Sequence, residues 1–222
     1  MKLYLNETSP FARLALVTAI ESKHAEVALE WVDPWTDDPA LLAVTPFAII
    51  PVLETAEGTA LYESLLICLH LGGAAAFPQT AAAHARLGYA KTLMELAFRK
   101  AIFNRFFGTD PLNPLAIRAE AAVTRALAQL DSHLEPLSPP QALPYVALPD
   151  LVLSDLVLPD LALAVALDYT SFRLSGLYEA HAGPRSREWL APFLARPSFR
   201  LTTPEVLAAR PANVAELTAT LT

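Results

Sequence analysis

One cysteine, Cys68, stands among the 222 residues. An internal disulfide is therefore impossible, a multi-cysteine metal site is excluded, and a reducing compartment, the cytoplasm, is the expected location. The five histidines, His24, His70, His84, His133 and His181, lack metal-ligand spacing, so no metal is expected. Basic clusters are missing as well: 16 Lys and Arg face 23 Asp and Glu, a net charge of −7. Phosphate binding needs grouped cations, so nucleic acid is not an expected partner. No apolar run is long enough for a membrane span. The most apolar stretch, 151–167, is broken by Asp155, Pro159 and Asp160. Polar residues enter too early in 1–7 for a signal-peptide core, so neither a leader nor membrane association is expected.

What is present points to a folded chain. Hydrophobic residues make up 54% and charged residues 18%, enough apolar surface for a sizeable core and too little charge for disorder. The charge is uneven. Residues 1–73 hold 3 basic and 10 acidic residues, whereas 74–222 hold 13 of each. This change coincides with the domain boundary that the patterning predicts.

The first part reads β-α-β then β-β-α. A strand is expected over 2–6, a helix from Ser9-Pro10 to about Ser22, and a strand over 27–32. A strand over 49–55, a turn at Glu57-Gly58, a partner strand over 59–62 and an apolar helix over 65–71 follow. Gly72-Gly73 stops that helix. Residues 33–45 are expected to be irregular or weakly helical. After a linker over 74–81 the pattern turns helical: one long amphipathic helix over 82–107, with Leu87, Ala90, Met94, Ala97 and Ala101 on one face. A second helix after Pro114 is marked by Ile117, Leu127, Leu130 and Leu134. Helices over 162–169 and 186–194 complete the domain, with a proline-rich passage from Pro136 to Pro159 before them. No strand is expected after residue 74, and the tail from Thr202 has no readable element.

Three segments of the first part belong together: Thr8-Ser9-Pro10-Phe11-Ala12-Arg13, Ile50-Pro51-Val52-Leu53 and Glu63-Ser64-Leu65-Leu66-Ile67. In order and spacing they resemble the N-terminal domain of glutathione transferases, most closely the bacterial serine-type group. The helical remainder is similar to that family's C-terminal domain. The resemblance implies an α/β thioredoxin-like domain over 1–73 followed by an all-α C-terminal domain over 82–222. It also implies an enzyme that ionises glutathione and adds it to an electrophile, and a homodimer. Glutathione-linked disulfide exchange and a non-catalytic interaction module are the alternatives.

The chemistry gives each segment a reason. A thiol with a pKa of about 8.5 is only slightly ionised at pH 7, and lowering it by two units needs about 2.7 kcal/mol. A hydroxyl donor together with a helix N-terminus supplies that order. The resemblance makes Ser9 this donor; a helix cap ahead of Pro10 is the other reading. It makes Pro51 cis, with the main chain of Ile50 pairing with the cysteinyl part of the tripeptide, against a trans proline opening an edge strand. Ser64 and the nearby N–H groups would take the γ-glutamyl carboxylate and Glu63 its ammonium, a task compatible with capping. Arg13 would either add positive field or pair with an acidic neighbour. The electrophile would meet Phe11, Arg99, Phe103 and Phe106 between the domains.

Some positions depart from the family pattern. Thr45-Pro46-Phe47-Ala48 replaces Asn-Pro-x-Gly, and Ala48 makes a left-handed backbone costlier. Trp35 and Thr36 stand where a Lys or His commonly reaches the glycyl carboxylate. Val157 replaces the hydroxyl cap that pairs with Asp160. Low glutathione affinity is the expected consequence.

Overall fold

The computed structural model describes residues 1–73, 76–108, 113–133 and 157–219. Leu134 and the proline-rich passage from Pro136 to Pro149 lie outside them, whereas Pro159 lies within. The described residues form two compact units. One holds the chain up to Pro78, the start of the helix at Leu158–Leu161, and the stretch from Ala195 onward. The other holds the described residues from Gln79 to His133 and from Ala162 to Leu194.

In the first unit, strands β1 (Lys2–Leu5), β2 (Ala28–Trp31), β3 (Val52–Glu54) and β4 (Ala60–Tyr62) form one sheet in the order β2-β1-β3-β4. The β1–β2 pair is parallel and the other two pairs are antiparallel. A parallel pair needs a crossover, and helix α1 (Pro10–Glu21) supplies it. Ser9 caps α1 and Pro10 occupies its first turn, where the missing N–H costs nothing. Short α2 (Pro39–Leu42), capped by Asp38, falls in the stretch expected to be weakly helical. Helix α3 (Ser64–Gly72) follows β4 and ends at Gly73, whose φ of +68° suits glycine. Strand β3 is shorter than the 49–55 expected. Pro51 has no N–H to give a ladder, so pairing begins only at Val52.

The tail that the sequence left unplaced belongs to this unit. Helices α9 (Pro197–Leu201), α10 (Pro204–Leu207) and α11 (Val214–Ala219) carry the chain back to the open edge of β2. The Leu29 N–H donates to the Ala212 carbonyl at 2.9 Å and the Val214 N–H to the Val27 carbonyl at 3.0 Å. Ala28 and Asn213 form an antiparallel bridge, which corrects the expectation of no strand pairing after residue 74. The indole N–H of Trp31 donates to the Pro211 carbonyl, 2.9 Å away. A bare strand edge invites pairing with other chains, and this return covers it.

The second unit is helical. Helices α4 (Ala81–Phe107) and α5 (Pro114–His133) pack together, and α7 (Ser175–His181) and α8 (Pro184–Leu194) pack on α5. Leu87, Ala90, Leu93, Met94 and Ala97 form the buried face of α4. Ala101 is only half-buried, and Ile117 on α5 is exposed. Helix α6 (Leu158–Arg173) begins earlier than expected. Val157 accepts from the N–H groups of Asp160 and Leu161, and Pro159 fits the first turn.

Asp131 of α5 caps α8. Its carboxylate accepts from the N–H groups of Arg185 at 3.0 Å and Ser186 at 2.8 Å, and from the Ser186 hydroxyl. A methyl group on Gly183 would collide with that carboxylate, which explains the glycine. Burial works against the charge, but the hydrogen bonds from Ser186 and Arg185 outweigh it and hold the carboxyl below its ordinary range. A lowered folded pKa contributes stability above the unfolded value of about 3.9 and loses it as pH falls through the folded one. Asp131→Ala should therefore cost about 1–2 kcal/mol at pH 7 in urea unfolding. The gap to the parent should narrow as pH falls below the ordinary carboxylate range.

Candidate functional site

The sheet register brings the three segments to one place. Tyr4 of β1 faces Val52 of β3, and Val52 faces Tyr62 of β4. Strands β1 and β4 run toward this end of the sheet, whereas β3 starts from it. The loop leading to Ser9, the Ile50–Pro51 bond and the Glu63–Ser64 helix start therefore gather at one end of the first unit.

Ser9 is buried, 8% exposed. Its hydroxyl oxygen accepts from the Ala12 N–H at 3.2 Å, which is the cap. That bond uses a lone pair and leaves the O–H hydrogen to be donated, so capping and thiolate stabilisation are compatible. A residue absent from the sequence reasoning holds this loop. The side-chain oxygen of Asn6 accepts from the N–H groups of Thr8 at 3.1 Å and Ser9 at 2.8 Å. An Asn two and three residues ahead of those N–H groups is the available signal.

The Ile50–Pro51 bond is cis. The side chain of Ile50 packs on a buried cluster of Tyr4, Val32, Leu41 and Val52, and its main chain has no hydrogen-bond partner among the described residues. The segment before it is pinned by the Tyr62 hydroxyl, which donates to the Val44 carbonyl at 3.2 Å. The Phe47 ring meets Tyr62 edge-on at 5.8 Å. Ala48 has a φ of +48°, the left-handed backbone that its side chain disfavours by about 1–2 kcal/mol. Ala48→Gly relieves that strain against a smaller entropic cost. We expect a melting temperature about 2–4 °C higher, and a lower one would show that the methyl group matters more than the backbone.

Glu63 also has a positive φ, +70°. Its carboxylate accepts from the Leu65 N–H at 3.0 Å and from the Ser64 hydroxyl at 3.3 Å. Ser64 is buried at the start of α3 and Glu63 is exposed beside it. A bulky residue held in the left-handed region beside a helix N-terminus is local strain of the kind that gathers at ligand sites.

The Arg13 guanidinium donates from Nε to the Thr202 hydroxyl at 3.2 Å and from a terminal nitrogen to the Phe199 carbonyl at 3.3 Å. It also lies 5.5 Å from the centre of the Phe199 ring. Arg13 thus ties α1 to the returning C-terminal segment. Phe11 is half-buried on α1. Arg99, Phe103 and Phe106 stand on α4 in the other unit. Phe103 is half-buried with its ring 5.9 Å from that of Phe107, and Arg99 and Phe106 are exposed.

Cys68 is fully buried in α3. Burial, offset in part by a hydrogen bond with Thr18, pushes its thiol up to about 12, so it supplies no thiolate at neutral pH. Among the described residues, no group of His, Cys, Asp and Glu could hold a metal ion. Likewise, no described helix is long and apolar enough to cross a membrane.

Comparison with known proteins fits this geometry. Residues 8–74 match the family model described as the glutathione S-transferase N-terminal domain. A glutathione transferase family member from Pseudomonas fluorescens Pf-5, crystallised with bound glutathione, is 23% identical with a TM-score of 0.74. The match covers 91% of this chain and 98% of that one. A glutathione S-transferase from Methylobacillus flagellatus KT with glutathione bound is 22% identical, covers 91% and 98%, and has a TM-score of 0.67. The bacterial beta-class glutathione S-transferase of Sphingomonas chungbukensis is 23% identical, covers 94% and 98%, and has a TM-score of 0.66. No curated protein matches the chain. Over residues 8–74 the sequence fits a glutathione S-transferase N-terminal domain, and the chain shares the thioredoxin-like and helical fold of solved glutathione transferases.

Proposed function

We propose that the chain binds glutathione at this end of the sheet, ionises its thiol at Ser9 and adds the thiolate to an electrophile. The carrying observation is the register: it sets two helix starts, and a main-chain segment unpaired among the described residues, around one end of the sheet. Each matches one part of the tripeptide. The N–H groups at the start of α3, with the Ser64 hydroxyl, would take the γ-glutamyl carboxylate, and Glu63 the ammonium. The main chain of Ile50, beside Pro51, would pair with the cysteinyl unit. The Ser9 O–H and the N-terminus of α1 would face the sulfur. We assign Arg13 to holding α1 in place, because its guanidinium is engaged by Phe199 and Thr202. For the electrophile, Phe11 and the α4 residues Arg99, Phe103 and Phe106 are the candidates.

In this reading the protein is a serine-type detoxifying transferase of the cytoplasm. A homodimer belongs to this reading, and the apolar side chains that stay exposed in the first unit, Phe47, Ile49, Tyr62 and Leu66, support it. The strain at Ala48 favours the second reading, a non-catalytic module, since it stands next to the segment that must meet the tripeptide.

Calorimetry with millimolar glutathione tests the binding. Uptake is expected, with affinity about ten-fold weaker in Ser64→Ala, the loss of one hydrogen bond to a charged group. No uptake by the parent chain overturns the proposal. Uptake without conjugation of any generic electrophile leaves the module.

A further inference from the structure

We infer that Asn6 is a positioning residue for Ser9, and that its acceptor is neutral because the sulfur beside it must carry the charge. The inference rests on the function proposed above, and it concerns a side chain that acts through the Ser9 backbone.

The turn 6–9 needs one oxygen to receive two N–H groups, those of Thr8 and Ser9. Both partners are donors, so the side-chain atom facing them must be an acceptor. A carboxylate does this at least as well as an amide. The chain itself uses aspartate for such bonds twice in the same unit. Asp33 receives the Trp35 N–H at 2.9 Å, and Asp38 receives the Ala40 N–H at 2.9 Å. Residues 1–73 hold 10 acidic residues, so aspartate is not avoided there in general. At position 6 the acceptor is an amide.

The difference lies in what comes next. The N–H that Asn6 receives at 2.8 Å belongs to Ser9, whose hydroxyl would face the thiolate. A carboxylate within a few ångströms of a developing thiolate would raise the thiol pKa, because like charges disfavour ionisation. The other charged groups of this region are arranged to limit that effect. Glu7 is paired with Arg210 at 2.7 Å, and Glu63 turns its carboxylate to the Leu65 N–H.

The test is the ultraviolet absorbance of the bound thiolate as a function of pH, measured on the full chain with saturating glutathione, next to a melting temperature. Asn6→Asp should keep the melting temperature within about 2 °C and raise the bound thiol pKa by about one unit. Asn6→Ala should lower the melting temperature and reduce turnover more than it changes the Michaelis constant, because Ser9 loses its support. An unchanged thiol pKa in Asn6→Asp overturns the inference alone. So does a melting temperature in Asn6→Asp that falls as far as in Asn6→Ala, since the carboxylate would then not replace the amide. A parent chain that shows no thiolate at any pH below that of free glutathione overturns the proposed function, and this inference with it.

Discussion

Ser9→Gly is expected to lower turnover about 25-fold at pH 7, and up to about 100-fold at lower pH, while leaving the protein folded. Removing one donor aimed at a developing negative charge typically costs 100- to 1000-fold. Here the loss acts through ionisation. A bound thiol that drifts back by two units, from about 6.5 to its ordinary pKa of about 8.5, keeps about one twenty-fifth of the thiolate at pH 7 and about one-hundredth well below pH 6. The deficit must therefore shrink as pH rises, and turnover of variant and parent should converge above about pH 9. Glycine is the informative replacement because Ser9 has two tasks. As a cap it accepts from the Ala12 N–H at 3.2 Å, and glycine at an N-cap costs only a few tenths of a kcal/mol where alanine costs about 1. Ser9→Gly thus separates the O–H from the cap, and Ser9→Thr, which keeps both, should retain most activity. Rates within three-fold of the parent at pH 7 in Ser9→Gly would leave Ser9 as a helix cap and nothing more.

Much of this site was legible because its determinants are local. Ser9 with Pro10, Glu63 with Ser64, and Gly73 after α3 are adjacent residues whose backbone preferences fix helix ends without help from the rest of the chain. Ala48 was legible in the same way: a methyl group where glycine is expected, and a φ of +48° to match. The cis state of Pro51 is different in kind. It came from the family resemblance, since Ile-Pro alone prefers trans. What the sequence hid depends on partners far along the chain. Arg13 was weighed as a source of positive field or an acid's partner, and it donates to Phe199 and Thr202, more than 180 residues on. The return of Ala212–Val214 to β2 has no alternating apolar pattern, because the segment is held by main-chain bonds to an existing edge, whatever its side chains. Asn6 was overlooked for a subtler reason. An Asx turn needs one oxygen and two N–H groups, and it leaves no mark on hydrophobic periodicity.

Helix α1 carries Ser9 at one end, and at the other end Glu21 should prove to be among the costliest single positions for stability. Its carboxylate accepts from Nε of Arg196 at 3.0 Å and from a terminal guanidinium nitrogen at 2.8 Å, a two-pronged pair, and also from the Ser198 hydroxyl. The Glu21 side chain is 11% exposed and that of Arg196 is 24% exposed, so the pair is largely withdrawn from water. A glutamate in the last turn of a helix is opposed by the helix dipole, and the pair is what makes the position tolerable. Deleting one member of a buried pair strands the other charge and costs about 3–5 kcal/mol; the residual exposure of Arg196 lowers the expectation to about 2–4. Against a typical total of 5–15 kcal/mol that is a large fraction. In urea unfolding, Glu21→Ala and Arg196→Ala should each show that loss with an unchanged slope, and the double variant should lose clearly less than the two combined. The partners lie 175 residues apart, so the loss would also loosen the returning segment that holds Arg13 and, through α1, the Ser9 cap. A loss below 1 kcal/mol in either single variant would instead mark the pair as an ordinary surface contact, and the C-terminal return would then be held by its main-chain bonds to β2 and by its contacts with Arg13 and Trp31.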